Sequence, residues 1–324
     1  MKHVAAVSLL IAVAAGSTFA QPASAPLVDC HQHLFSPAAA ALVSPPTPGP
    51  PIAPITAEDL VKLLDAAGIK RALVLSVAYT FSNPARGVDN DYERVRAEND
   101  WTSKQVARFP DRLRGFCGLN PLKAFALEEL ARCSKDPQLH YGVKLHFGNS
   151  VIDYHNPAHI DQLRKVFRAA NEYRMAIVVH MRASISQKVA YGREEARIFL
   201  DELVPAAPDI VIQIAHLAGA GGYADLVVDQ ALSVFVDAIQ KRDPRAKNLY
   251  FEVTSAALPS TTPEQMRQIA TRVRQLGVER VLYGSDAATG GNLAPREAWA
   301  LFRRVPLTEA EFKTIENNVP PYMR

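Results

Sequence analysis

The sequence predicts an α/β protein that folds as a single (β/α)8 barrel of the triosephosphate isomerase (TIM) type. Apolar runs of strand length recur along the chain, helical patterns separate them, and polar residues cluster where several runs end. Strands buried on both faces and alternating with helices are typical of this barrel. The eight predicted strands are Leu27–Leu34, Arg71–Tyr79, Leu113–Asn120, Gly142–Phe147, Ala176–Met181, Ile210–His216, Asn248–Val253 and Arg280–Ser285.

Capping signals and periodic apolar faces define the helices between these strands. Thr56 begins one helix and Gly68 ends it. Residues 157–174 carry an apolar face with helical spacing, a Thr-Pro pair begins a helix at Thr262, and Thr308 caps the last one. An open doubly wound sheet is the alternative, but no glycine-rich dinucleotide fingerprint follows the first strand.

Two loops are expected to reach over the carboxyl end of the barrel. The proline-rich stretch Pro45–Pro54 follows the first strand, and Phe81–Asn90 follows the second. Neither has the length or composition of a domain linker, so residues 26–324 are predicted to form one domain.

Composition excludes several classes of function. The chain has 324 residues, 48% hydrophobic and 21% charged, which is ordinary for a globular enzyme with a large core. Its 36 basic and 33 acidic residues are interspersed, with no long block of one sign. A nucleic-acid footprint is therefore not expected. The expected partners are a small-molecule substrate and copies of the same chain.

The first residues form a targeting signal. Lys2 precedes a nearly continuous apolar run from Val4 to Ala15, and small-x-Ala cleavage sites end at Ala20 and Ala25. This pattern is typical of a secretory signal peptide over residues 1–20, or to 25 with the second site. The run is short for a membrane span. We therefore expect a periplasmic or secreted protein with no membrane attachment after cleavage.

Three cysteines make a poor disulfide framework for a chain of this length. Cys117 falls in a strand-like run and Cys133 in a helix-like one. Export would permit them to pair, but three buried thiols are the expectation.

Side chains that bind metals end four of the predicted strands. His31 and His33 end the first, and strand alternation places both on one face. His180, His216 and Asp286 end the fifth, sixth and eighth strands. The carboxyl ends of barrel strands converge on one site, and imidazole and carboxylate ligands suit zinc, iron or manganese.

With these residues in this order, the sequence resembles the amidohydrolase superfamily from about Leu27 to the C-terminus. It is most similar to the branch that includes aminocarboxymuconate-semialdehyde and resorcylate decarboxylases together with many hydrolases. Further segments similar to that branch are Asp111–Phe116, Gly142–His146 and Tyr283–Asp286. The resemblance implies a TIM barrel of the metallo-dependent hydrolase type.

The resemblance also implies roles for the residues. His31, His33, His180 and Asp286 would surround one divalent metal, most simply Zn²⁺, with Mn²⁺ or Fe²⁺ as alternatives. Asp286 would take the proton of a metal-activated water, whose pKa zinc lowers to about 7. His216 would polarise water or substrate by hydrogen-bonding the developing oxyanion.

Three further residues are candidate contacts. Lys144, in the pattern Gly-x-Lys-x-His, resembles the strand-four lysine that is carboxylated and bridges two metals in some superfamily members. The alternative is a free amine that binds a substrate carboxylate or pairs with Asp286. We expect this free amine, and therefore a single metal. His146 shares the face of Lys144, and Arg182 is a candidate clamp for an anionic substrate.

Three functions remain in competition. The leading one is an exported metal-dependent hydrolase that acts on an amide, lactone or ester bond of a small organic substrate. The second is a metal-dependent, non-oxidative decarboxylase of an aromatic or muconate-type acid. The third is a ligand-binding barrel without catalysis, which the presence of both His216 and Asp286 argues against.

Overall fold

The computed structural model describes residues 24–44, 52–182, 189–287 and 292–324. Eight parallel strands follow one another around a barrel in chain order, each hydrogen-bonded to its neighbour. This confirms the predicted (β/α)8 barrel. The strands are β1 (Val28–Gln32), β2 (Arg71–Leu75), β3 (Leu113–Leu119), β4 (Gly142–His146), β5 (Ala176–His180), β6 (Ile212–Ile214), β7 (Leu249–Glu252) and β8 (Val281–Leu282).

Each predicted strand is present, but the strands are shorter than the apolar runs that predicted them. β6 ends at Ile214 because His216, Leu217 and Ala218 adopt left-handed backbone angles, with φ of 55°, 48° and 65°. β8 covers only Val281–Leu282. His216 and Asp286 therefore lie just past β6 and β8, whereas His31 lies within β1 and His180 is the last residue of β5.

The barrel closes between β8 and β1. The backbone N–H of Cys30 donates to the carbonyl of Tyr283, and the N–H of Asp286 donates to the carbonyl of His31, both at 2.8 Å. Beneath them, the buried Asp29 carboxylate accepts from the Ser285 hydroxyl at 2.7 Å. Burial raises the pKa of Asp29 to about 6. This seam fixes the last strand, and with it Asp286, against the first.

Helices cover the outside of the sheet and bury their apolar faces on it. The predicted starts are confirmed: Thr56, Thr262 and Thr308 each form a capping box with the third residue of the following helix. The described helices are α1 (Pro37–Val43), α2 (Ala57–Ala67), α3 (Asp91–Val106), α4 (Ala126–Cys133), α5 (Phe147–Ser150), α6 (Pro157–Glu172), α7 (Arg193–Ile198), α8 (Leu226–Gln240), α9 (Pro263–Leu276), α10 (Pro295–Phe302) and α11 (Glu309–Asn317).

The amino-terminal end of the barrel is closed by the C-terminal residues. The buried Tyr322 ring packs edge-on against Phe116, with 5.1 Å between centroids, and its hydroxyl donates to Gln213. The guanidinium of Arg71 donates to the Met323 carbonyl at 2.6 Å, and that of Arg114 donates to the Tyr322 carbonyl at 2.6 Å. Tyr322 and Met323 thus close this end of the barrel, and we call them the plug.

The two predicted loops differ in what the structure describes. Residues 45–51 of the proline-rich loop, like the predicted signal peptide over 1–20, lie outside the described residues. The second loop contains two short 3-10 helices, Ala78–Ser82 and Pro84–Arg86. These two helices contribute Tyr79, Thr80 and Arg86 to the carboxyl end of the barrel, as predicted for the second loop.

The expectation of three thiols is wrong for two of the cysteines. Cys117 on β3 and Cys133 on α4 form a disulfide, with Cα atoms 6.1 Å apart, whereas Cys30 is free and buried. Assignment to a strand and a helix does not separate them, because the outer face of β3 packs directly against α4. None of the helices described is long and apolar enough to cross a membrane.

Candidate metal centre and active site

A cavity of about 330 Å³ opens at the carboxyl ends of the strands and gathers most of the predicted site residues. The predicted residues that line it are His31, His33, Lys144, His146, His180, His216 and Asp286. Arg182 is not among its lining residues. The structure thus brings together, in one cavity, side chains that β1, β4, β5, β6 and β8 deliver from distant parts of the sequence.

His31 and His33 stand side by side on β1, as strand alternation predicts. Nδ1 of His31 lies 3.1 Å from the Glu252 carboxylate, and Nδ1 of His33 lies 2.6 Å from the Leu75 carbonyl oxygen. Because these oxygens accept hydrogen bonds, each Nδ1 carries the proton and each Nε2 is unprotonated. The two Nε2 atoms are 3.3 Å apart. A cation between them would relieve the repulsion of the facing lone pairs.

Asp286 completes this group from β8. Its carboxylate oxygen is 3.5 Å from Nε2 of His33, and its backbone is held in the left-handed region at φ 54°. One ligand atom each from His31, His33 and Asp286 lies within 4.8 Å of the others. The structure therefore assembles three of the four predicted metal ligands.

His180, the fourth predicted ligand, reaches the cavity from the opposite side. Its Nδ1 is 3.2 Å from Nδ1 of His146, which also receives the backbone N–H of Asn149 at 3.2 Å. His146 therefore accepts at Nδ1, so His180 donates from Nδ1 and keeps a free lone pair on Nε2. The ring centroids of His180 and His216 are 5.0 Å apart. His180 lies outside the 4.8 Å group, and its role as a ligand stays a prediction.

His216 enters the cavity from the left-handed turn after β6. Its Nδ1 lies 3.2 Å from the Thr254 carbonyl oxygen, and its backbone N–H donates to Glu252 at 2.6 Å. His216 is thus also protonated on Nδ1, with Nε2 free. In this neutral form it has no Nε2 proton to donate to an oxyanion, which differs from the role that the sequence suggested.

Burial keeps these histidines neutral. Loss of solvation lowers the pKa of His33 and of His216 to about 3, and the positive charge of Lys144 acts in the same direction. For His31 and His180 burial lowers the pKa well below its ordinary value. Neutral imidazole is the form that binds metals.

The donor set fits a divalent metal. Four imidazoles present unprotonated Nε2 atoms to one cavity, a carboxylate lies beside them, and hydrogen bonds on Nδ1 hold the rings. Such partners on the second nitrogen are characteristic of metal-binding histidines. His31, His33, His180 and Asp286 would hold the ion, and this nitrogen and oxygen set suits zinc, manganese or iron.

Lys144 lies at the centre of the cavity floor on β4. Its Nζ is 3.3 Å from Nε2 of His31, and its side chain is almost completely buried. Burial lowers its pKa, while the charges of Glu252 and Asp286 oppose that effect. A single metal with a free Lys144 amine stays our prediction, and electron density at Nζ in a metal-loaded crystal would test it.

The predicted substrate clamp at Arg182 has another partner. Its guanidinium donates to the Asp225 carboxylate and lies against the Tyr191 ring, with 5.8 Å to the centroid. Its charge is therefore already neutralised. Arg86, from the loop after β2, lines the cavity instead, and donates to the Leu42 carbonyl.

The sequence did not mark Arg86, Tyr79 and Asn149 as site residues. They line the cavity from short helical segments after β2 and β4, where no periodic pattern distinguishes them. Glu252 is recognisable as the acidic residue that ends the apolar β7 and could face the barrel interior, but its partners on β1 and after β6 could not be read from the chain.

Comparison with known families gives one extended match. The family model described as Amidohydrolase matches residues 28–317. No curated protein matches the chain.

Solved structures share the fold at low identity. A probable 2-pyrone-4,6-dicarboxylic acid hydrolase from Acinetobacter baumannii, with citric acid bound, has a TM-score of 0.59 at 17% identity, over 90% of this chain and 96% of that chain. The 2,6-dihydroxybenzoate decarboxylase from Rhizobium has a TM-score of 0.62 at 17% identity, over 91% and 97%. A dihydroxybenzoic acid decarboxylase from Polaromonas with bound manganese and 2-nitroresorcinol has a TM-score of 0.58 at 16% identity, over 91% and 95%.

Proposed function

The chain belongs to the amidohydrolase family, and from this premise we propose that it is a metal-dependent hydrolase of a small organic anion. The bond cleaved would be an amide, lactone or ester. One observation carries the proposal: unprotonated Nε2 atoms of His31 and His33 and the Asp286 carboxylate meet within 4.8 Å on the floor of a cavity. We propose Zn²⁺ as the ion, with Mn²⁺ or Fe²⁺ as alternatives.

Asp286 is the proposed proton acceptor. A divalent metal at this site supplies Lewis-acid activation of water. The Asp286 carboxylate lines the cavity beside His33, so it can take the proton of the attacking water and pass it to the leaving group. Its position is set by the backbone bond to His31.

His216 is proposed to act as a hydrogen-bond or proton acceptor. Its Nδ1 proton is directed at the Thr254 carbonyl oxygen, so Nε2 offers a lone pair to the cavity. We propose that this lone pair accepts a hydrogen bond from water or substrate, in place of the expected donation to an oxyanion.

The cavity favours a small anionic substrate with an apolar part. Arg86 and Lys144 contribute positive charge, and Phe35, Val77 and Tyr79 contribute an apolar wall. A volume of about 330 Å³ is at the small end for ligand sites. Arg86 forms no ion pair with an acidic residue in the part of the chain that the structure describes, and residues 1–23, 45–51, 183–188 and 288–291 contain no Asp or Glu. Its charge is therefore available to a carboxylate.

A non-oxidative decarboxylase is the second candidate. Solved structures of similar fold include decarboxylases of hydroxylated benzoates, and the positive groups that would bind a substrate carboxylate would serve that reaction equally. The two candidates differ in product, since only hydrolysis adds water to the substrate and only decarboxylation releases CO₂.

Product analysis separates them. Zn²⁺- and Mn²⁺-loaded protein would be assayed against lactones, esters, amides and aromatic carboxylic acids, with acid release and CO₂ followed in parallel. We expect acid release without CO₂, and incorporation of ¹⁸O from labelled water into the product. CO₂ from an aromatic acid with no incorporation of water would replace the hydrolase proposal by the decarboxylase.

We also propose that the protein is exported to the periplasm or beyond. The signal-peptide pattern and the Cys117–Cys133 disulfide both favour an oxidising compartment. Cleavage after Ala20 is favoured over Ala25, because the Trp299 indole N–H donates to the Ser24 carbonyl at 2.9 Å and Ala25 packs on the core. Mass spectrometry of protein from its native host should show a chain that starts at Gln21. A full-length chain with two reduced thiols would refute export.

A further inference from the structure

One buried carboxylate lies behind the cavity and touches two of its histidines. Glu252, at the end of β7, has no exposed surface and is not among the residues that line the cavity. Its Oε1 is 3.1 Å from Nδ1 of His31 and 2.6 Å from the backbone nitrogen of His216. Oε2 is 3.2 Å from the backbone nitrogen of Thr254, whose hydroxyl also donates to it.

These contacts determine how His31 faces the cavity. A carboxylate on Nδ1 holds the proton on that nitrogen, so Nε2 is the atom that can bind an ion. The same contact sets the rotation of the ring. Ligand atoms of His31, His216 and Glu252 also lie within 4.8 Å of one another, but Glu252 faces Nδ1 of His31 and not Nε2. It would therefore act through His31 on an ion held at Nε2.

The contact with His216 fixes a strained turn. His216, Leu217 and Ala218 are consecutive residues with left-handed backbone angles, a conformation that L-amino acids other than glycine disfavour. Glu252 accepts the His216 N–H at the start of this run, and the Thr254 carbonyl accepts the His216 ring proton. Glu252 and Thr254 together therefore hold the backbone and the ring of His216.

Residues from neighbouring strands pack closely around Glu252. A Cβ at Gly284 would lie 2.6 Å from Oε2 of Glu252, 2.3 Å from Oγ1 of Thr254 and 2.8 Å from Cβ of His31. The glycine in the segment Tyr283–Asp286 thus makes room for the carboxylate. Three strands, β1, β7 and β8, close on this one group.

We propose that Glu252 is the positioning residue of the metal centre, which sets the tautomer of His31 and the turn that presents His216. The inference rests on the proposed metal-dependent function. Glu252 is not proposed to contact the substrate. Its removal is expected to lower the affinity for metal more than it lowers the stability of the fold.

The test compares the metal affinity of variants at Glu252 and Thr254 with that of a variant at another buried carboxylate. Burial raises the pKa of Glu252 to about 8, so the variants would be compared above that pH. Glu252→Gln keeps the shape of the side chain but cannot ionise, and Thr254→Val removes one hydrogen-bond donor to Glu252. Glu129→Gln is the control, because Glu129 is equally buried but bonds Asn99 and Arg132 on the outer face of the sheet. Zn²⁺ affinity of each metal-free, full-length protein would be measured by competition with a chromophoric chelator, and folding by circular dichroism.

We expect Glu252→Gln to bind Zn²⁺ about 10- to 100-fold more weakly than wild type, the usual cost of losing such a partner. Thr254→Val should show a smaller loss, and Glu129→Gln none. Zn²⁺ affinity of folded Glu252→Gln within twofold of wild type would overturn the proposal.

A second readout needs no metal. In ¹⁵N–¹H spectra of the metal-free protein, the Nδ1 proton of His31 should resonate far downfield, because a carboxylate accepts it, and should move upfield in Glu252→Gln. An unchanged signal would show that Glu252 is not its partner. Wild-type protein that shows this signal yet binds no Zn²⁺, Mn²⁺ or Fe²⁺ would refute the proposed metal-dependent function and leave the pairing of Glu252 with His31 supported.

Discussion

The two ends of the barrel are built by the same strands but present opposite chemistry. At the carboxyl end, His31, His33, His180 and His216 meet a carboxylate and a lysine in an open cavity. At the amino end, Tyr322 and Met323 fill the barrel interior against Phe116, and Arg71 and Arg114 bind the carbonyls of the last residues. One end exposes polar groups to a ligand, and the other seals the core.

Left-handed backbone angles occur at both ends, but at the carboxyl end they fall on functional residues. Asp286 and the run from His216 to Ala218 adopt them where β8 and β6 end, whereas Arg174 adopts one between α6 and β5. Such conformations cost roughly 1–3 kcal/mol for each residue and persist where surrounding contacts enforce them. Contacts at the closed end are therefore expected to stabilise the fold, whereas the open end carries the strained, polar residues of the site. This is the division of roles expected for this barrel. This comparison yields predictions for each end.

The largest effect is expected at Asp286. Asp286→Asn keeps an oxygen in place but cannot accept a proton, so turnover should fall roughly 10²- to 10⁴-fold. The unfolding midpoint should change little. Steady-state kinetics on the substrate found by screening, together with thermal denaturation, would check both. If Asp286→Asn lost as much stability as a core variant, the proposal that the carboxyl end serves function and not stability would be wrong.

The converse is expected at Tyr322, in the plug. Tyr322→Ala removes a buried aromatic ring and should cost about 3–5 kcal/mol of the free energy of unfolding. Turnover per folded molecule should stay close to wild type, because the ring lies at the far end of the barrel. Denaturant unfolding and active-site titration would measure the two quantities. A large fall in turnover per folded molecule would show that the ends are coupled.

His180 sharpens the description of the metal site, since it lies outside the group of His31, His33 and Asp286. His180→Ala should weaken Zn²⁺ binding at least about tenfold, because it removes a nitrogen ligand from a site with few ligands. His159→Ala is the control, because His159 neither lines the cavity nor belongs to a group of potential metal ligands among the described residues. Metal content after dialysis, measured by elemental analysis, decides the question. Full metal in His180→Ala would remove it from the ligand set.

The smallest effect is expected at the mouth of the cavity. Arg86→Ala should raise KM for a carboxylated substrate roughly 10-fold, as expected for one hydrogen bond to a charged group, and leave kcat nearly unchanged. Arg193→Ala is the matched surface variant. Arg193 forms an ion pair of 3.7 Å with Asp237 and does not line the cavity. An equal KM for both variants would show that Arg86 does not bind substrate.

The comparison also explains which residues could be predicted. His31, His33, His180, His216 and Asp286 each follow an apolar run, so their place at the carboxyl ends was readable from the order of strands and helices. The plug was not predicted, because Tyr322 lies beyond the last helix, in a segment without periodicity. Arg182 was chosen for its nearness to His180, but Asp225, 43 residues away, neutralises it.

The sequence by itself determined the barrel, the order of its elements and the set of side chains that reach its carboxyl end. These follow from local patterns: apolar runs form strands, capping residues begin helices, and alternation assigns faces. Only the tertiary structure decided which nitrogen of each histidine carries the proton and that Glu252 stands behind His31. It also decided the pairing of Cys117 with Cys133. The reason is physical: hydrogen bonds and disulfides depend on distances between elements that are far apart in sequence, and local patterns do not determine those distances.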